Sequence, residues 1–139
     1  MLVIKMFGDQ MLVTKKSRIQ GVGLFSDRPI RARQKIGEYT GERISVAEGR
    51  RRAKGKRRIA IVEVSNRVAL DGDVNGGPFR FINHSCQPNT FTRTAYGRME
   101  FYALRNIKAH EELTCDYRPS MHEGQMPCKC GAPTCTEFV

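Results

Sequence analysis

The sequence has 139 residues, 40% hydrophobic and 27% charged, with 24 Lys+Arg against 14 Asp+Glu for a formal charge of +10. That length supports one compact core rather than two. The longest apolar stretches are strand-length and broken by charge, which excludes a membrane span, and the positive surplus favours acidic partners.

Residues 1–11 read as an N-terminal extension or strand. "MLVIKMFGDQMLV" has neither the continuous apolar centre nor the small-residue cleavage site of a secretory signal, so the chain is expected inside a cell. There, five cysteines point to metal ligands or reactive thiols more than to disulfides. Gly21-Val22-Gly23 reads as a turn where the backbone can approach a ligand without a Cβ in the way. "KIGEYTGERI" (35–44), "RIAIVEV" (58–64), "RVAL" (67–70) and "MEFYAL" (99–104) read as strands, short and rich in β-branched or aromatic residues. Ser65-Asn66 and Tyr96-Gly97-Arg98 are turn signals between them. The one helix start is Ser45-Val46-Ala47-Glu48, a capping-box pattern, with Gly55 as the stop. "GRRRAKGKRR" (49–58) carries seven basic residues and no acidic one, and most of that run is expected on this helix. It is either a footprint for nucleic acid or a solvated helix face.

Two further stretches carry chemistry. "RFINHSCQPN" (80–89) sets an amide, an imidazole and a thiol side by side in a turn. "CKCGAPTC" brings Cys128, Cys130 and Cys135 within eight residues, around Gly131-Ala132-Pro133. Three thiols so close cannot all pair with one another, whereas a tetrahedral zinc site takes such a knuckle plus one ligand from elsewhere, Cys86 or Cys115. Four thiolates close the coordination shell, which makes such a zinc structural. The plainer reading is free cysteines in a loose tail.

Taken in order and spacing, "KKSRIQGVGLFS" (15–26), "GEYTGE" (37–42), "RFINHSCQPN", "EELTCDY" (111–117) and "CKCGAPTC" resemble the SET-domain protein-lysine N-methyltransferases with a cysteine-rich post-SET tail. The resemblance covers residues 12–136. It implies a mostly β, β-clip-like fold of several small sheets with pseudoknot-like C-terminal threading, a SET domain over 12–118 and a zinc-binding tail over 119–139. It also implies an S-adenosyl-L-methionine cofactor, held by Gln20, Gly21, Val22, Gly23, Arg80, Phe81, Asn83 and His84, with Gln20 and Val22 acting through main chain. By the same match Tyr117 is the catalytic tyrosine and Tyr39 a wall of the lysine channel. Cys86 joins Cys128, Cys130 and Cys135 around a structural Zn2+. Cys115 stands where the family commonly has Phe or Tyr, a position that sets product specificity, and its small thiol implies di- or trimethylation. Its thiol would be oxidation-sensitive if its pKa were lowered. His110, where glycine is frequent, reads as a turn residue, and Tyr102 as core.

A lysine with a reference pKa near 10.4 is almost wholly protonated at neutral pH. A narrow, desolvated channel ending at a sulfonium favours the neutral amine without a dedicated base. The implied partner is a histone or another DNA-associated basic protein, with no membrane and possible nucleic-acid contact through 49–58. The implied location is cytoplasmic or nuclear and chromatin-associated, a host nucleus included. Two other readings stand beside this one: a catalytically inactive SET-like module, and a zinc-containing basic protein that binds nucleic acid.

Overall fold

The computed structural model of the chain describes residues 4–7, 10–118, 124 and 126–139. Strands β1 (Ile4–Phe7), β2 (Gln10–Lys16) and β3 (Val22–Ser26) form an antiparallel meander. The opening segment 1–11 thus contributes a strand, and 119–123 of the tail lie outside the described residues. β4 (Lys35–Glu38) and β5 (Glu42–Ser45) lead into α1 (Val46–Ala53). Then come β6 (Ile61–Glu63), β7 (Val68–Asp71), a 3-10 turn (Pro78–Phe81), β8 (Asn83–His84), β9 (Thr90–Ala95), β10 (Arg98–Ala103) and β11 (Glu112–Cys115). They assemble as one sheet in the order β1-β2-β3-β11-β8 and two three-stranded sheets, β4-β10-β9 and β5-β7-β6. This is the mostly β, many-sheeted fold that the sequence implies. No described helix is long and apolar enough to cross a membrane.

The core lies between the sheets. Leu12, Leu24, Ile30, Ile36, Phe79, Phe101, Ile107 and Leu113 are all essentially inaccessible, and Phe79 from the 3-10 turn stacks on Phe101 with centroids 4.4 Å apart. Burying these side chains is the main favourable term, and Phe79 anchors the turn immediately before Asn83.

Three sequence expectations change. "KIGEYTGERI" is not one strand: it breaks after Glu38 and resumes at Glu42 in another sheet. At the break a Cβ on Gly41 would stand 2.3 Å from the Asp71 carbonyl oxygen, so the backbones touch there and no straight ladder can pass. "RIAIVEV" contributes only Ile61–Glu63 as strand. The basic run also lies mostly off the helix. α1 ends at Ala53, Lys54 caps it and Gly55 follows at φ +77°, so Arg50, Arg51 and Arg52 are helical while Lys54, Lys56, Arg57 and Arg58 are not.

The helix start is as read, with the Glu48 amide donating to Ser45 Oγ at 3.1 Å. Gly49 lowers helix propensity by about 1 kcal/mol relative to Ala. Its absent Cβ would lie only 3.1 Å from Ala69 Cβ, so glycine lets α1 pack closely on the β5-β7-β6 sheet. His110 holds φ +66° and donates its amide to the Ser26 carbonyl at 2.8 Å, a turn role. Tyr102 is half-buried and stacks on Phe91.

Candidate active site and thiol cluster

β11 is seated between β3 and β8, antiparallel to the first and parallel to the second. That insertion brings "EELTCDY" against both "GVGLFS" and "RFINHSC". The Asn83 side chain, buried, donates through Nδ2 to the Gln20 carbonyl (3.0 Å), the Val22 carbonyl (3.2 Å) and Glu112 Oε2 (2.9 Å). Ser17 Oγ donates to the same carboxylate at 2.8 Å, and the Ile19 amide donates to Ser17 Oγ at 2.9 Å. Glu112 therefore ties the 17–23 loop to the Asn83 turn. A Cβ on Gly23 would meet its Oε2 at 2.4 Å, so the second glycine of Gly-Val-Gly makes room for Glu112. The first differs: Gly21 has φ +44°, a conformation glycine adopts freely and a side chain would strain, and nothing lies within 4 Å of its missing Cβ.

His84 joins this turn to the tail. The Tyr117 amide donates to His84 Nδ1 at 2.9 Å. Nδ1 is thus an acceptor, and the neutral ring carries its proton on Nε2. Nε2 lies 3.3 Å from Cys86 Sγ. Burial lowers the His84 pKa, opposed by Asp116, in keeping with a neutral ring.

The two singled-out tyrosines share one apolar cluster with Cys115. Tyr39 is 6% exposed and donates its hydroxyl to the Ala60 carbonyl at 2.5 Å. Tyr117 donates its hydroxyl to the Ile82 carbonyl, and its ring is tilted against His84 with centroids 5.4 Å apart. Burial, reinforced by Asp73, pushes the Tyr39 phenol above its usual range. Burial, reinforced by Cys115 and then Tyr39, does the same to Tyr117. Both are neutral phenols at physiological pH. Burial likewise pushes the Cys115 thiol up to about 12, so the lowered pKa that oxidation sensitivity would require is absent. Arg80 pairs with Asp73 at 3.1 Å and lies over the Phe81 ring, on the outer flank of the turn.

The thiols separate as the spacing and the resemblance together imply. Sγ of Cys86, Cys128, Cys130 and Cys135 all lie within 4.8 Å of one another, and Cys115 stands apart in the core. Zn–S bonds near 2.3 Å make a tetrahedron with edges of about 3.8 Å, and Cys86 to Cys128 measures 3.9 Å. The amides of Thr136, Ala132 and Glu137 donate to the sulfurs of Cys86, Cys130 and Cys135 at 3.5, 3.5 and 3.3 Å. Such outer-shell donors stabilise thiolates. The donor set fits a closed, four-sulfur metal site, and none of the five cysteines is in a disulfide.

The SET domain family model matches residues 21–118. The chain belongs to the SET-domain family. A histone-lysine N-methyltransferase, H3 lysine-4 specific, from Eremothecium gossypii is 40% identical over 136 residues, covering 89% of this chain and 14% of that protein. Its namesake from Saccharomyces cerevisiae is also 40% identical, over 89% of this chain and 13% of that protein. Histone-lysine N-methyltransferase set-2 from Caenorhabditis elegans is 35% identical over 96% of this chain and 9% of its own length. This SET domain thus spans about a seventh or less of these curated relatives.

Sequence reasoning missed Glu112. It sits inside a motif singled out for its tyrosine, and nothing in "EELT" reveals a carboxylate that gathers a loop 95 residues earlier.

Proposed function

We propose that this SET domain is an S-adenosyl-L-methionine-dependent protein-lysine N-methyltransferase acting on a histone or another DNA-associated basic protein, and that its place of action is chromatin. The observation that carries it is Tyr117: a half-buried neutral phenol whose amide is fixed by His84, whose hydroxyl proton is committed to Ile82, and which packs against the cluster that holds Tyr39 and Cys115. The names of the relatives support the substrate class.

In this reading the main chain at Gln20–Gly23 and the Asn83–His84 turn hold the cofactor, with Arg80 and Phe81 at its edge. The cofactor supplies the methyl group on a cationic sulfonium. Because the Tyr117 proton is given to a carbonyl, its oxygen is left to accept an N–H from the incoming amine and so to orient the nitrogen lone pair. Tyr39 and the apolar cluster withhold water from the lysine stem, which favours the neutral amine. Alignment of the two reacting groups then replaces a bimolecular encounter. A phenolate base has no part, because both phenols resist ionisation. Cys115 sets the free volume beside the amine, and di- or trimethyl-lysine is the proposed product. Zn2+ held by Cys86, Cys128, Cys130 and Cys135 fixes the tail against His84.

The test is incubation with methyl-labelled cofactor and core histones, then mass spectrometry of the labelled lysines. Label on a histone lysine is the expected result. Cofactor binding with no transfer to histones or to total basic protein would mark a non-catalytic module.

A further inference from the structure

Some cations of this chain are ion-paired and others, Lys54 and Lys56 of the basic run among them, are exposed without an ion pair among the described residues. On and after α1, Arg50 pairs with Glu63, Arg51 with Glu48, Arg52 with Glu42, Glu48 and Asp71, and Arg58 with Asp73. These carboxylates, contributed from β5, β6, α1 and the β7 end, neutralise much of the run that the sequence offered to nucleic acid. Lys15, Lys16, Arg18, Arg31 and Lys108 are likewise exposed with no ion pair among the described residues, and unlike Lys54 and Lys56 they gather around depressions of the surface.

These five lie along two neighbouring depressions. One, of about 510 Å3, is lined by Lys15, Lys16, Arg18, Phe25, His110 and Glu112. The other, of about 420 Å3, is chiefly apolar, lined by Pro29, Ile30, Ile107 and Ala109, with Arg31 and Lys108 beside them. The Lys108–His110 turn separates them, contributing Lys108 and Ala109 to one and His110 to the other. That turn is rigidly held: Ile30 and Ile107 exchange amide-to-carbonyl bonds at 2.9 and 2.8 Å, and His110 is bonded to Ser26. The carboxylate in the first lining, Glu112, is engaged by Ser17 and Asn83 and leaves the three cations beside it unpaired.

We propose that this face docks the sugar-phosphate backbone of double-stranded nucleic acid, without reading bases. The three cations of the first depression, with Arg31 and Lys108 beyond the same rigid turn, spread unpaired positive charge along one face, which suits a ligand whose anionic groups repeat, where a small anion would need only one cluster. Duplex is favoured over single strand because Phe25 is buried with Lys15 Nζ 4.3 Å above its ring, so it offers no free stacking platform. Phosphate contacts of this kind position a protein and carry no sequence information.

Fluorescence anisotropy with the full chain and a labelled duplex of about 30 base pairs tests this across about 50–200 mM salt. The expected result is binding that weakens steeply with salt. Lys16→Glu/Arg31→Glu/Lys108→Glu should weaken it at least about tenfold and reduce the log–log salt slope by about one for each phosphate no longer neutralised. Arg50→Gln/Arg51→Gln on the neutralised helix should change affinity less than about twofold, because those charges already have partners. Circular dichroism checks that each variant is folded, and Lys108→Gln alone, a single surface change, must still lower the slope if the triple variant is not. Salt-insensitive or absent binding would overturn the proposal, as would equal weakening by the α1 pair. Displacement by polyglutamate at a lower charge concentration than unlabelled duplex would instead assign the face to an acidic protein segment.

Discussion

Tyr117 is constrained at its amide by His84, at its ring by the same imidazole and at its hydroxyl by Ile82. Tyr117→Phe keeps the first two and removes the third, so the expected loss is in turnover, about 10²-fold for a misaligned amine. Thermal melting and cofactor affinity should remain near those of the parent. Turnover near the parent rate would remove Tyr117 from the catalytic role. Cys115 yields two expectations. Its thiol, with a pKa near 12, is not a thiolate at pH 8, so iodoacetamide should leave it unmodified in the folded protein and label it only after denaturation, as read by peptide mapping. Cys115→Tyr should fill the space beside the amine and add a hydroxyl, shifting the products toward monomethyl-lysine with little loss of the first transfer. Mass spectrometry of a peptide product under excess cofactor checks this, and an unchanged pattern in a folded variant would assign the space to another residue.

At the scale of elements, the pairing of β11 with β3 makes Gly23 and Glu112 one unit. Gly23→Ala pushes a methyl into a carboxylate anchored by Ser17 and Asn83, and Glu112→Ala releases those anchors. Each single change should weaken cofactor binding, while the double variant should lose less than the sum, a coupling of about 0.5–3 kcal/mol. Calorimetric titration of all four proteins measures it, and strict additivity would separate the two residues. This unit also shows where the sequence was legible. Gly21, Asn83, His84, Cys86, Tyr117 and the thiol knuckle stand in contiguous motifs, so spacing singled out the knuckle and the family resemblance singled out the rest. The role of Glu112 depends on a contact across almost the whole chain, and the break in "KIGEYTGERI" depends on Gly41 meeting Asp71 from another strand. The ion pairs that quieten the basic run come from acids scattered over β5, β6 and the β7 end. Local pattern holds none of these.

For the whole molecule, the described part of the tail is fastened by the thiol cluster, by a few backbone bonds and by the buried Val139. Pro127 and Phe138 form an isolated bridge, Met126 and Val139 exchange backbone bonds, and Cys86 receives the Thr136 amide. A metal held by the four thiols would therefore lend its binding energy largely to the folding of this segment. Chelation should raise hydrogen exchange across 126–139 and weaken cofactor binding before the core melts. Metal analysis should find one zinc per chain, lost in Cys86→Ser and kept in Cys115→Ser. The reverse pattern would replace Cys86 with Cys115 in the ligand set.

The seating of β11 between β3 and β8 also governs how the chain folds. The β9–β10 and β6–β7 hairpins close between neighbours in sequence and can form early. Ser17 meets Glu112 across 95 residues, and long-range closures of this kind are slow because loop entropy is lost before contacts repay it. A chain still being synthesised thus carries Gly21, Asn83 and His84 long before β11 emerges to organise them. The turn proposed to hold the cofactor and Tyr117, proposed as catalytic, come into being together in one late step, so on that reading a half-made chain has nothing for the cofactor to stabilise.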